Sequence, residues 1–254
     1  MEKPTFNYRI WHSPRVGSTL LCQLLEDTGI AGKPGEHVTL HGQNSLSERY
    51  GTQDYDELIK KVWRVGMGKN GVFGVKLSHH AYYSEQIMRD LAIRKGIEMP
   101  ENPEEIWRDF FPDSMNIFLT RLNKIDQVVS WWKAIKDNEW HLYDKKKREI
   151  PDAFYEDKYN LDALKFLLSE ITLREAATVD HLQKNKLDFI TISYEDLIAD
   201  PGKVLNEILY YLGLTMDPVK TPVFKFHKTA NLHSLKWVER LRNDLQKDMD
   251  KRIW

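Results

Sequence analysis

Apolar and polar positions along the chain follow two periods. Short runs rich in β-branched and aromatic residues read as strands: Phe6 to Trp11, Val72 to Leu77, Met115 to Thr120 and Leu187 to Ile192. Between them, apolar residues recur at helical spacing. Leu20, Leu21, Leu24 and Leu25 mark a first helix that stops at Gly29, a residue suited to a left-handed cap. Tyr55, Leu58, Ile59, Val62 and Trp63 give residues 45–65 one apolar face, and Gly66, Gly68, Asn70 and Gly71 end that helix. A helix over residues 84–95 follows, and Asn102-Pro103-Glu104-Glu105 opens another with an N-cap and a proline at the first helical position.

Later in the chain, Asn123 starts a helix with Val128, Val129, Trp132 and Ile135 on its apolar side. Asn160 caps a long helix that carries Leu164, Leu167, Leu168, Ile171, Leu173 and Ala177 inward. Asp200-Pro201 opens one that closes at Gly213, and residues 231–254 read as a charged C-terminal helix. Each strand is separated from the next by a crossover long enough for parallel pairing. This predicts an α/β fold in which a central, mainly parallel sheet is layered between helices.

The 254 residues suffice for one core, so a single domain over 1–254 is expected. The polar stretch 139–157, with its charge run Asp144-Lys145-Lys146-Lys147-Arg148-Glu149, reads as a solvated surface or a mobile lid. Thirty-seven Lys and Arg against 38 Asp and Glu leave a formal charge of -1, which gives no field for non-specific nucleic-acid binding. Any anion site must therefore be local. One cysteine, Cys22, excludes an intrachain disulfide and suits a reducing compartment, with core packing its expected role. No run approaches the roughly 18 apolar residues of a membrane span, and Met1-Glu2-Lys3-Pro4 lacks a signal-peptide core, so the expected location is cytoplasmic.

The chemistry concentrates where the first strand meets the first helix, at Ser13-Pro14-Arg15-Val16-Gly17-Ser18-Thr19. Proline ends the strand, Gly17 permits close backbone approach, and Ser18 and Thr19 set hydroxyls beside the free N–H groups of the helix start. Arg15 adds a forked cation. The nucleoside-triphosphate form of such a loop needs a lysine just before its Ser/Thr, and here Gly17 stands there, so the loop suits an anion but not ATP hydrolysis.

Beyond it, the turn-rich segment Ala31-Gly32-Lys33-Pro34-Gly35-Glu36-His37 emerges near the same sheet edge. Glu36 is there as a solvated carboxylate or as a base. Lys76 either snorkels from an edge strand or reaches a ligand, and His79-His80 face an acceptor or solvent. His37 and His41 have metal-pair spacing but no third ligand at fixed distance. Ser130 sits two turns into its helix, where spacing alone favours a bond to the carbonyl four residues back over a ligand contact.

The order of these pieces is more specific than any one of them. P-R-x-G-S-T-L follows the first strand, G-x-P-x-E the first helix, then come F-G-V-K-L, a strand ending in T-R before V-S-W, and Y-E-D-L-x-x-D-P with a terminal L-G-L. Over residues 6–240 this resembles the bacterial carbohydrate sulfotransferases typified by trehalose 2-sulfotransferase. The resemblance implies a three-layer P-loop-type fold and sulfuryl transfer from 3′-phosphoadenosine 5′-phosphosulfate (PAPS) to a hydroxyl of a sugar or glycolipid, releasing 3′-phosphoadenosine 5′-phosphate (PAP).

It further implies that Ser13, Arg15, Gly17, Ser18 and Thr19 hold the phosphosulfate, that Arg121 and Ser130 hold the 3′-phosphate, and that Glu36 is the general base, with Arg15 beside the reacting group. No metal is demanded, because the sulfate is already bonded to a good leaving group. Leu122 stands where the family often has a second arginine, which shifts weight to Lys124 or Lys228. His37 replaces the family's usual large aromatic. A homodimer is left open. The rival readings are a P-loop nucleotide or sugar kinase, marked by magnesium dependence, and a non-catalytic PAP- or PAPS-binding protein that never turns over.

Overall fold

A computed structural model describes residues 3–140, 152–215, 232–247, 249, 251 and 253. The chain begins with β1 (Phe6–His12) and α1 (Ser18–Asp27), followed by α2 (Leu46–Tyr50), α3 (Tyr55–Gly66) and β2 (Val72–Leu77). Next come α4 (Ala81–Lys95), α5 (Glu104–Phe110), β3 (Met115–Thr120) and α6 (Lys124–Asp137). A short 3₁₀ turn at Asp152–Tyr155 precedes α7 (Leu161–Lys184), β4 (Phe189–Ser193), α8 (Tyr194–Ala199), α9 (Pro201–Tyr211) and α10 (Leu232–Leu245).

The four strands are parallel, in the order β2-β1-β3-β4, and the fold is α/β as expected. Trp11 pairs in register with Leu77 on one side and Phe118 on the other. Because the chain leaves β1 to one side for β2 and returns past it for β3, the carboxyl ends of β1 and β3 flank a topological switch point, where open parallel sheets bind ligands.

Strand alternation sorts the two faces. On one, Trp11, Phe73, Val75, Leu77 and Phe118 pack with Leu58, Val62 and Trp63 of α3, Met88 and Leu91 of α4, and Ile106 and Phe110 of α5. On the other, α1 covers the sheet: the Tyr8 hydroxyl donates to the Ala31 carbonyl at 2.7 Å, and Lys76 reaches Thr19. β2 is an edge strand, yet all six of its residues are buried.

Two compact units emerge. The first contains the four strands, Gly17–Thr120 and the chain from Arg174 through α9. The second contains Pro14–Val16, the chain from Arg121 to Leu173, and α10, with a core of Val128, Val129, Trp131, Trp132, Tyr155, Ile171 and Trp237.

Several sequence expectations shift. Residues 45–65 form two helices because Gly51, at φ 60°, caps α2 and Asp54 caps α3 by accepting from the Glu57 N–H. α4 starts earlier than residue 84, capped by His80. Ile135 and Leu173 are exposed at 42% and 65%, and Ala177 is exposed too, so those helices bury narrower faces than their composition suggested. The last helix ends at Leu245. The charge run 144–149 and Lys228 lie outside the described residues.

Candidate active site

In the first unit the candidate residues gather at the start of α1. Gly17 is the N-cap residue at φ 81°, and a Cβ there would lie 2.8 Å from the Tyr194 ring. Glycine is needed twice over, for the left-handed backbone and for the room the tyrosine takes. Gly17 has no side chain to cap α1, and the helix dipole at this end favours an anion. Ser18 is buried at the first position and Thr19 follows it.

Around that helix start lies a charged cluster. The Lys76 ammonium sits 3.1 Å from the Thr19 hydroxyl oxygen and 3.1 Å from Glu36 Oε1. Glu36 Oε2 is 3.7 Å from His41 Nε2. Burial alone would raise the Glu36 carboxyl, but the adjacent Lys76 charge and hydrogen bond outweigh it and hold the group below the ordinary carboxylate value. Burial, reinforced by Lys76, pushes His12 at the end of β1 down to about 4. His12 is therefore neutral at physiological pH.

At the carboxyl ends of β1 and β3, Ser13 and Thr120 both donate their hydroxyls to the Glu175 carboxylate, at 2.8 and 2.9 Å. Ser13 thus has a structural partner on α7 at the site where an anion contact was expected.

The second unit holds the two arginines. Arg15 adopts φ 67°, a strained conformation for a residue with a Cβ, and its guanidinium donates through Nε to Ser130 Oγ at 3.1 Å and through a second nitrogen to the Trp140 carbonyl. Ser130 therefore accepts from Arg15, a contact the spacing along α6 did not indicate. Arg121 is paired with Asp126 at 3.5 Å on the first turn of α6. Leu122 beside it is 69% exposed.

The histidines resolve differently from their sequence reading. His37 turns inward, with Nε2 at 2.8 Å from the Lys33 carbonyl and its ring against Phe73, so it braces the turn that carries Glu36. His79 stacks on Trp11 at 5.1 Å and bonds the Thr178 hydroxyl, and burial brings it down to about 4. Among the described residues no group of three or more His, Cys, Asp or Glu is arranged to hold a metal ion. Sequence reading missed Glu175 and His12, and it had Tyr194 only as the first residue of the Y-E-D-L motif, without its place against Gly17.

Known proteins are similar to this chain over most of its length. A trehalose 2-sulfotransferase of Mycolicibacterium smegmatis is 26% identical over 266 residues, spanning 95% of this chain and 96% of its own. One from Mycobacterium tuberculosis is 22% identical with the same spans. A crystal structure of a sulfotransferase from Alicyclobacillus acidocaldarius, 13% identical, aligns over 97% of this chain and 91% of its own with a TM-score of 0.46. The family model described as Stf0 sulphotransferase matches residues 7–244, a span that takes in the phosphate loop, Glu36, Lys76 and Arg121, and the chain belongs to that family.

Proposed function

We propose that this chain moves the sulfuryl group of PAPS to a hydroxyl of a carbohydrate or glycolipid acceptor by in-line displacement. The observation that carries the reading is the cluster at the start of α1, where Glu36, Lys76 and Thr19 meet at the positive end of the helix. The positive φ of Gly17 and the first-turn N–H groups fit an anionic phosphosulfate, and the loop offers no lysine of the nucleotide-hydrolysing kind. The donor supplies a sulfuryl group already activated by its bond to phosphate.

The chain's residues supply alignment and charge. Gly17, Ser18 and Thr19 hold the phosphosulfate oxygens, with Arg15 as a further cation and Ser13 at the head of the loop. Arg121 and Ser130 hold the 3′-phosphate, Arg121 by its two-pronged fork. Lys228, outside the described residues, remains the candidate for a further contact. Glu36 takes the proton from the acceptor hydroxyl as that oxygen bonds to sulfur, and the bond between sulfur and the phosphate oxygen breaks to release PAP. The curated relatives, both named for trehalose, favour a sugar as acceptor.

No helix among the described residues is long and apolar enough to cross a membrane. The test is a panel of sugars and glycolipids incubated with isotopically labelled PAPS, read by the mass of the product, beside calorimetry with PAP and with ATP. Sulfated product and PAP binding far tighter than ATP are expected. Tighter ATP binding that deepens with magnesium overturns the reading in favour of a kinase. PAP binding without turnover on any acceptor favours a non-catalytic binder.

A further inference from the structure

Lys76 enters the cluster from the edge strand β2 with a side chain only 7% exposed. A buried ammonium persists where partners replace its water. Here one partner is the Glu36 carboxylate and the other is a hydroxyl on the first turn of α1, the turn that faces any anion docked at the helix. The phosphate loop itself has Gly17 at the position where a nucleotide-hydrolysing loop has its lysine.

We infer that Lys76 is this loop's phosphate-side cation and that it changes partner during the cycle, pairing with Glu36 before the donor arrives and with the donor's anionic oxygens afterwards, so that donor binding frees Glu36 to act as base. The inference rests on the donor reading above. Lysine suits it, being a point charge with three rotatable donors on a flexible stem. Its nitrogen already touches both sides, so the exchange needs no backbone movement. A phosphosulfate carries more negative charge than one carboxylate, which gives the exchange its direction.

The chemical consequence follows from Brønsted behaviour. A carboxylate tied to an ammonium is a weak base, and the free chain holds Glu36 in that state. Withdrawing the ammonium raises its basicity at the moment an acceptor hydroxyl has something to attack. The other titratable and charged groups around Glu36 are His41, beside Oε2, His12, which is itself flanked by Arg174 and neutral above about pH 4, His37 and Cys22, and Arg49, which donates to the Glu36 carbonyl.

The test is a carbon-13 NMR titration of the Glu36 carboxyl, assigned by its loss in Glu36→Gln, with and without saturating PAP, in the parent, Lys76→Met and Lys76→Arg. In the parent, PAP should raise the Glu36 midpoint by about one pH unit. In Lys76→Met the midpoint should start higher, respond to PAP by less than half as much, and accompany PAP binding weakened by about tenfold or more. Lys76→Arg, which keeps the charge, should retain most of the affinity.

An unmoved midpoint in a parent that binds PAP, or an equal rise in parent and Lys76→Met, overturns the exchange while leaving the donor reading standing. Failure of the parent to bind PAP overturns both. Should Lys76→Met not fold by circular dichroism, Lys76→Gln takes its place, and an equal rise of the Glu36 midpoint in that variant and the parent again overturns the exchange.

Discussion

At the residue scale, Glu36 carries the sharpest expectations. A sugar hydroxyl is a poor nucleophile at neutral pH, so Glu36→Gln should lower turnover by roughly 10²–10⁴-fold, while PAP affinity should rise by up to about tenfold because the neutral side chain no longer competes for Lys76. Steady-state rates and calorimetry on one preparation check both halves. In the free protein Lys76 holds the carboxyl below its ordinary 4.5, and a base must be ionised to accept a proton. The acid limb of kcat/KM, which reports the free protein, should therefore fall at a pH below 4.5, as the carboxylate becomes protonated. Arg121→Ala should weaken PAP binding by about 1.5–3 kcal/mol if its fork holds the 3′-phosphate. An unchanged affinity measured by calorimetry would assign that phosphate to other cations.

At the element scale, the β1–α1 junction works because several local rules coincide. Pro14 ends the strand, Gly17 turns the chain left-handed, and α1 begins directly after it. Gly17→Ala should cost about 1–2 kcal/mol for the left-handed backbone alone and more for the Cβ forced against Tyr194. Urea denaturation should show the loss, and PAP affinity should fall with it. This junction was legible in the sequence since strand, proline, glycine and hydroxyls are contiguous. The two helices in 45–65 were legible too, through Gly51, Ser45 and Asp54, but the apolar spacing of α3 masked the break. The Glu36–Lys76 pair was not, because it joins residues from a loop and a distant strand that only the sheet brings together. Nor was the buried ion pair of Arg9 with Glu104 at 2.8 Å: Glu104 reads as an ordinary first-turn helix residue until β1 is laid beside it.

At the scale of the whole molecule, stability should depend on pH through histidines that fold neutral. His79 lies between Trp11, Thr178 and His181, and His181 in turn contacts Glu104. Its value falls from 6.5 unfolded to about 4 folded. Between those limits the unfolded chain binds the extra proton, so stability rises with pH and is lost on acidification, by about 3 kcal/mol for His79 across the window. His12 adds to the same slope. Urea midpoints measured from pH 7 to pH 4 should fall steadily, and His79→Gln should flatten part of the decline. A midpoint independent of pH over that range would place the ring in water.

The hydrogen bond from Arg15 to the Trp140 carbonyl has an optical consequence. Of the eight tryptophans, Trp11, Trp63, Trp107, Trp131, Trp132 and Trp237 are all 9% exposed or less, while Trp140 is 41% exposed. Trp254 lies outside the described residues. In a Trp254→Phe background the long-wavelength edge of the emission spectrum belongs to Trp140, the indole joined through its own backbone to the loop arginine. Acrylamide should quench that edge first, and PAP should alter the quenching if Arg15 turns from the carbonyl to the ligand. The protein carries its own fluorescent gauge of loop occupancy, readable without a label and before any acceptor is known.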